Sequence, residues 1–205
     1  MKKRTAFIGA LLSLIPLGQP LIIKTGVVLS TTVLITSLPE KVQARDNSYY
    51  FDRAFDKGEN GDHYGAISDY TKAIEINPNN ERAYYNRGWN KARVNDPYGA
   101  IADYSKAIEI NPQYEQAYYN RGNQKADIGD HYGAIFDYTK AIEINSKYIN
   151  AFFNRSISKR KLGDIQGACF DAKKVVSLGD EDSDNESWIS KNCWLEVLRK
   201  NILYN

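Results

Sequence analysis

Cysteine and histidine are scarce in this chain, with two of each among 205 residues. Cys169 and Cys193 are too few for a disulfide framework and lack the spacing of metal ligands. His63 and His131 occupy equivalent places in two similar segments, so we expect surface turn residues. The sequence also lacks a glycine-rich phosphate-binding loop and a nucleophile with a matched base. These absences argue against a metal site, a cofactor and an enzyme, with thiol redox chemistry as the only enzymatic alternative.

An excess of charge of one sign is also missing, because 27 Lys and Arg face 25 Asp and Glu. Five of these cations and one of the anions fall within residues 1–44, which leaves the rest of the chain slightly acidic. A nucleic-acid binder usually carries a concentrated basic face. We therefore expect no nucleic-acid partner.

Residues 1–44 have the composition of a leader. Three basic residues follow Met1, and apolar runs cover residues 6–17 and 26–38. Small residues two apart end at Ala44, a pattern that signal peptidase accepts. The leader is longer than the roughly 15–30 residues of most signal peptides. Neither run alone reaches the roughly 20 apolar residues of a membrane-spanning helix.

Three interpretations of this leader stay open: a long signal peptide cleaved after Ala44, a retained membrane anchor through residues 6–38, or neither. The first two predict a protein that is exported, to the periplasm or an equivalent lumen, or membrane-anchored. An anchor could still leave the folded part on the cytoplasmic side, since the basic start is the only topology cue.

From residue 47 onward the sequence repeats with a period of 34 residues. The segment 61–67 recurs at 129–135, an offset of twice 34 residues, and a shorter copy lies midway at 98–101. Such a period indicates repeated supersecondary units that stack to bury a common core. The units are 47–80, 81–114, 115–148 and a more divergent 149–182.

Within each unit, small and aromatic residues recur at fixed places counted from its first residue. Place 8 is Ala54, Gly88, Gly122 and Ser156; place 20 is Ala66, Ala100, Ala134 and Ala168; place 24 is Tyr70, Tyr104, Tyr138 and Ala172. This pattern resembles the tetratricopeptide repeat (TPR), whose unit is two antiparallel helices. The resemblance covers residues 47–182 and implies an all-α solenoid of four antiparallel helix pairs, the last one degenerate.

Local signals agree with helix pairs and suggest a cap at the end of the array. An aspartate precedes each second helix, where its side chain can accept backbone N–H bonds: Asp62, Asp96, Asp130 and Asp164. A capping helix is expected within residues 184–205. It would bring Cys193 near Cys169. A disulfide is conceivable if the domain is exported, but our expectation is two buried free thiols.

Cations depart from the family pattern at two places of every unit. Place 7 is Arg53, Arg87, Arg121 and Arg155; place 11 is Lys57, Lys91, Lys125 and Lys159; place 23 is Asp69, Asp103, Asp137 and Asp171. Like charges four residues apart on a helix repel each other weakly. The cations could form a ladder that binds an acidic partner. Because they recur identically, we favour structural pairing of Arg with Asp along the stack.

The resemblance implies that the first helix of each pair lines a concave groove that takes up partner segments. Asparagine at place 6 offers a donor and an acceptor for a peptide backbone. Places 9 and 13 differ between units, as expected if selectivity resides there, although Phe55 and Trp89 could instead belong to the stacking core. The candidate binding residues are Phe51, Phe55, Arg82, Tyr85, Asn86, Trp89, Arg93, Gln116, Tyr119, Asn120, Asn123, Asn150, Phe153 and Asn154.

Some TPR domains hold a C-terminal carboxylate with Lys, Asn and Arg in this groove. Here Asn86 and Asn120 match the asparagine places, but Phe51 and Gln116 stand where that clamp has cations. We therefore predict a non-catalytic scaffold or adaptor that binds a protein or peptide segment without that clamp. The alternative is a structural repeat protein that self-associates and has no peptide ligand.

Overall fold

The computed structural model describes residues 40–179 and, beyond them, residues 188, 189, 191 and 193. The chain divides into two compact units, residues 1–44 and 45–205. The leader up to residue 39 and most of the predicted capping helix lie outside the described residues, although residues 188, 189, 191 and 193 are helical. Among the described residues, no helix is both long and apolar enough to cross a membrane.

Eight α-helices account for residues 40–179, and no strand occurs in this range. They are α1 (Glu40–Glu59), α2 (His63–Ile76), α3 (Glu81–Arg93), α4 (Pro97–Ile110), α5 (Glu115–Asp127), α6 (His131–Ile144), α7 (Ile149–Lys161) and α8 (Ile165–Ser177). From α3 to α8 each helix packs on the next, α2 packs on α3, and α3, α5 and α7 also contact one another in order. This is a solenoid of helix pairs, which confirms the predicted fold. The A helices are α1, α3, α5 and α7, and the B helices are α2, α4, α6 and α8.

Each B helix begins at a predicted aspartate. Asp62 Oδ1 accepts a hydrogen bond from the Gly65 amide at 2.9 Å, and the same cap recurs in the other three units. A Cβ atom at Gly65 would overlap the Asp62 carboxylate, so the carboxylate takes this position because glycine stands three residues later. Pro97 stands in the first turn of α4, where its missing N–H costs no hydrogen bond.

The core of each of the first three units centres on the tyrosine at place 24. Tyr70, Tyr104 and Tyr138 are each 1% exposed, among alanines from both helices. A Cβ atom at Gly122 would lie 2.7 Å from Tyr138 Cε1. Place 8 is therefore small because a tyrosine ring packs against the helix backbone there. In the last unit Ala172 replaces the tyrosine, and the larger Ser156 is accommodated.

Every place-23 aspartate is buried and binds two cations of its own unit. Arg87 donates from Nε and Nη2 to the two carboxylate oxygens of Asp103, at 2.8 and 2.7 Å. Lys91 Nζ lies 2.8 Å from Asp103 Oδ2. The other three units repeat this arrangement. The structural interpretation of the Arg–Asp pairs is confirmed, and the shared carboxylate offsets the repulsion expected between Arg and Lys.

The same arginines also connect neighbouring units. Arg87 Nη1 donates to Thr71 Oγ1 of the preceding B helix at 3.0 Å. Arg121 and Arg155 repeat this bond to Ser105 and Thr139. In the first unit, Arg53 Nη1 instead donates to the Tyr49 hydroxyl at 2.9 Å. Hydrogen bonds from these arginines thus connect each unit to the next.

Cys169 and Cys193 form a disulfide, with 5.6 Å between their Cα atoms. Our expectation of two free thiols was wrong. Both residues are buried, because the segment that carries Cys193 lies against α8. The Arg160 guanidinium lies over the Trp188 ring, 5.2 Å from its centroid, which adds a second contact between the last pair and this segment.

Candidate functional site

A cavity of about 280 Å³ opens between the first and second A helices. Four of the predicted groove residues surround it, and four others complete the lining. The predicted ones are Phe55, Tyr85, Asn86 and Trp89, and the others are Gly58, Glu59, Tyr70 and Asn90. Phe55 is 51% exposed, so it belongs to the cavity rim and not to the stacking core.

Trp89 is held between a histidine and an arginine. The His63 ring meets it edge-on at 5.7 Å between centroids, and the Arg93 guanidinium lies 5.3 Å from its centroid. His63 Nδ1 is also hydrogen-bonded to Asn90 Oδ1 at 2.9 Å. His63 was predicted as a surface turn residue. That prediction was wrong, since the residue begins α2 and positions two residues of the cavity wall.

A second cavity, of about 400 Å³, opens between the third and fourth A helices. Its lining is more polar and comprises Asn123, Gln124, Ala126, Asp127, Tyr138, Asn154, Ile157 and Ser158. Asn123 Oδ1 accepts hydrogen bonds from the Tyr138 hydroxyl and from Asn154 Nδ2, both at 2.9 Å. Asn123 and Asn154 are thus brought together as part of the predicted groove.

The two cavities occupy equivalent positions two repeats apart. Each has a tyrosine at place 24, an acidic residue at place 13 and an asparagine from the next A helix. Burial raises the pKa of Tyr70, in the first cavity, to about 12. That hydroxyl, like the hydroxyl of an ordinary tyrosine, is protonated at neutral pH and can donate a hydrogen bond.

One pair of facing residues accounts for part of the difference between the cavities. Gly58 leaves room for Asn90, because a Cβ atom at Gly58 would lie 3.0 Å from Asn90 Oδ1. In the second cavity the same two places hold Ala126 and Ser158.

His131, the counterpart of His63, has a buried Nδ1 without a hydrogen-bond partner. It begins α6, so its prediction as a surface turn residue was also wrong.

Place-6 asparagines connect adjacent A helices. Asn120 Nδ2 donates to the Tyr85 hydroxyl at 2.8 Å, and Asn154 Nδ2 donates to the Tyr119 hydroxyl at 3.1 Å. Burial raises the pKa of Tyr85 above its ordinary value. These amides therefore have a structural role in addition to any contact with a partner.

The other predicted groove residues lie outside the two cavities. The Arg82 guanidinium stands over the Phe51 ring at 5.4 Å, Gln116 Nε2 donates to Glu115 Oε1, and Asn150 and Phe153 are exposed. Arg82 is therefore a cation of the groove, but it does not stand at one of the clamp places, where Phe51 and Gln116 are found.

Several lining residues were missed, although places 2, 5, 6, 9, 12 and 13 of each unit were taken as the contact positions. Glu59 and Asp127 were recognised as variable but not selected. The buried Asn90 could have been predicted from the sequence. It stands at place 10, which directly follows a groove position and is polar in every unit. Within the described part of the chain, no group of three or more His, Cys, Asp or Glu side chains could hold a metal ion.

Comparisons with known sequences agree with this architecture. Residues 59–89 and 98–129 match a family model described as TPR repeat, and residues 115–148 match the model for the tetratricopeptide repeat. The chain contains tetratricopeptide repeats. No curated protein matches the sequence.

Several solved structures resemble the chain at low sequence identity. A crystal structure of MamA protein is 23% identical, with a TM-score of 0.71, and the match covers 78% of this chain and 88% of that one. MamA 41-end from Desulfovibrio magneticus RS-1 is 14% identical, with a TM-score of 0.68, and covers 76% and 88%. The first TPR of Spaghetti (RPAP3), bound to the HSP90 peptide SRMEEVD, is 22% identical, with a TM-score of 0.57, and covers 58% and 94%. At these identities the likeness concerns the fold.

Proposed function

We propose that this protein is a non-catalytic scaffold that binds a segment of a partner protein along its A-helix face. The observation that carries the proposal is the pair of equivalent open cavities. Several of the lining side chains differ between the two cavities, although the 34-residue repeat keeps most other places the same. The Phe55 ring, 51% exposed at the first cavity, is an apolar surface that a partner side chain can cover. Clustered aromatic residues are typical of protein-binding surfaces.

The TPR repeats support this proposal, since helical repeats build extended binding surfaces. The related RPAP3 domain is described as bound to a peptide. The present groove has Phe51 and Gln116 at the clamp places for cations, so we propose a different kind of partner segment.

We propose that the protein acts as an assembly or adaptor factor outside the cytoplasm or at a membrane. Two features support it: the basic and apolar composition of residues 1–44, and the Cys169–Cys193 disulfide. Disulfides persist chiefly in oxidising compartments. Fractionation of source cells, with protease protection of the intact membranes, tests this setting. Recovery of the mature chain with a free, reduced Cys169 in the cytosol would contradict it.

Capture of partners by the immobilised full chain tests the binding role. Phe55→Ala/Phe153→Ala removes two exposed rings from A helices. Tyr64→Ala/Tyr132→Ala removes two exposed rings from B helices and serves as the matched control. We expect the first variant to lose partners that the control retains, with unchanged circular dichroism in both. If both variants capture the same proteins as the wild type, the groove is not the binding site.

A further inference from the structure

Charge alternates along the groove at the last residue of each A helix. These residues are Glu59, Arg93, Asp127 and Lys161, and all four are exposed. None of them takes part in a salt bridge within residues 46–179, whereas every place-7 and place-11 cation does. No opposite charge in that range neutralises these four groups, although Arg93 lies over the Trp89 ring and Asp127 Oδ2 accepts a long hydrogen bond from Gln124 Nε2 at 3.4 Å.

Helix stability does not explain the two acidic residues. The C-terminal end of a helix carries a partial negative charge, which favours cations and disfavours anions. Arg93 and Lys161 satisfy this preference, while Glu59 and Asp127 oppose it. The two exceptions are also the two acidic residues that line the cavities. An anion that destabilises the end of its own helix and also lines a cavity indicates a ligand whose charge compensates the anion.

The cavity linings suit a basic side chain. Glu59 supplies a carboxylate, and the exposed ring of Phe55 can contact the stem or face of a lysine or arginine. The Trp89 ring completes the apolar wall and already lies beside Arg93. Asp127 supplies the carboxylate of the second cavity. Arg93 lies between the two acids in chain order and would repel a basic side chain there, but would attract an acidic one.

Spacing follows from the packing of the A helices. The A helices α3, α5 and α7 contact one another in order, and packed helices lie about 8–10 Å apart. An extended chain advances about 3.3 Å per residue, so about three residues of a partner would cover one repeat. The two cavities are two repeats apart and would be spanned by about six residues.

We propose that the groove recognises an extended peptide segment in which basic, acidic and basic side chains follow one another at intervals of about three residues. The two basic side chains enter the cavities at Glu59 and Asp127, and the acidic one pairs with Arg93. This inference rests on the proposed function, because it specifies the chemistry of the segment that the groove binds.

Two degenerate peptide pools of ten residues test the proposal on the full chain. One pool fixes Lys-x-x-Glu-x-x-Lys and the other fixes Glu-x-x-Lys-x-x-Glu, with uncharged residues randomised at all other positions. We expect the first pool to be retained about tenfold better at low salt, as three partly exposed ion pairs allow. The preference should fall as salt rises.

A charge-matched pair of variants separates site binding from general attraction. Glu59→Lys/Asp127→Lys should abolish the preference for the first pool. Glu75→Lys/Glu143→Lys makes the same change in net charge on exposed residues of two B helices and should retain it. Equal retention of the two pools, or equal loss of preference in both variants, overturns the proposal. If Phe55→Ala/Phe153→Ala still loses the captured partner in that case, the binding function stands and only the inferred charge pattern fails.

Discussion

Arg121 holds Asp137 at two points, with Nε 2.9 Å from Oδ2 and Nη2 2.7 Å from Oδ1. Lys125 Nζ lies 2.8 Å from the same carboxylate, which is fully buried. Removal of a buried charge leaves its partners uncompensated, which costs more than the intact pair contributes. The aspartate therefore maintains the packing between the helices of its unit.

Asp137→Ala should lower the free energy of unfolding by about 3–5 kcal/mol, because two cations would lose a shared buried acceptor. Urea denaturation followed by circular dichroism measures this. Glu143→Ala is the control: it removes the exposed ion pair with Lys140 and should change stability by less than about 1 kcal/mol. Similar losses in the two variants would contradict a structural role for the buried aspartate.

Acid should weaken the ion pair between Arg53 and Asp69, which is the equivalent contact in the first unit. Hydrogen bonding by Arg53 lowers the pKa of Asp69 from 3.8 to about 2. A carboxyl group whose pKa is lower in the folded state stabilises the fold above its unfolded pKa, and this contribution is lost as pH falls through the folded value. Asp69→Asn should therefore be less stable than wild type at pH 7. The difference in free energy of unfolding should shrink between about pH 4 and pH 2, and a constant difference would contradict the assignment.

Alkali should act through the buried tyrosines. Burial raises the pKa of Tyr114 to about 12, while an unfolded tyrosine titrates near 10. The neutral form is favoured in the fold, so the stabilisation is complete below about pH 10 and is lost as pH rises toward 12. Tyr114→Phe should raise the pH of half-unfolding, as followed by circular dichroism. Tyr64→Phe alters a hydroxyl on a residue that is 74% exposed and should leave it unchanged.

Loss of the disulfide should destabilise the end of the array. Cys169→Ser/Cys193→Ser opens a loop with a sequence separation of 24, which should cost about 2–4 kcal/mol. Thermal unfolding with and without reductant measures this, and the double variant should be insensitive to reductant. Mass spectrometry after alkylation should find no free thiol in the unreduced wild type. Alkylation of both cysteines without reduction would contradict the disulfide.

The sequence predicted the fold well because the 34-residue period repeats the same contacts. The Arg–Asp pairs were foreseen from identical residues in every unit, and the four aspartate caps from their position before each B helix. Spacing along one helix could not reveal that Lys91 shares the carboxylate of Arg87, since the acceptor lies on the other helix of the pair.

The candidate site was predicted only in part, because each cavity combines three helices. Places 5, 6 and 9 identified Phe55, Tyr85, Asn86 and Trp89 from the A helices. The contact of His63 with Asn90 depends on how far α2 of one unit reaches toward α3 of the next, which no single-helix pattern encodes. The disulfide was missed for a similar reason, because the pairing of Cys169 with Cys193 depends on how the C-terminal segment docks.

The arginine bonds between units also make the internal junctions of the array differ from its ends. An added unit would form such a bond only where the preceding B helix offers a hydroxyl to its place-7 arginine. Lys173 occupies that position in the last unit, and an ammonium group cannot accept a hydrogen bond. At the other end of the array, Arg53 donates its hydrogen bond to the Tyr49 hydroxyl. An extra copy of the second or third unit could be inserted in the middle, where threonine or serine is present, but a copy appended after α8 would lack this bond to the preceding unit.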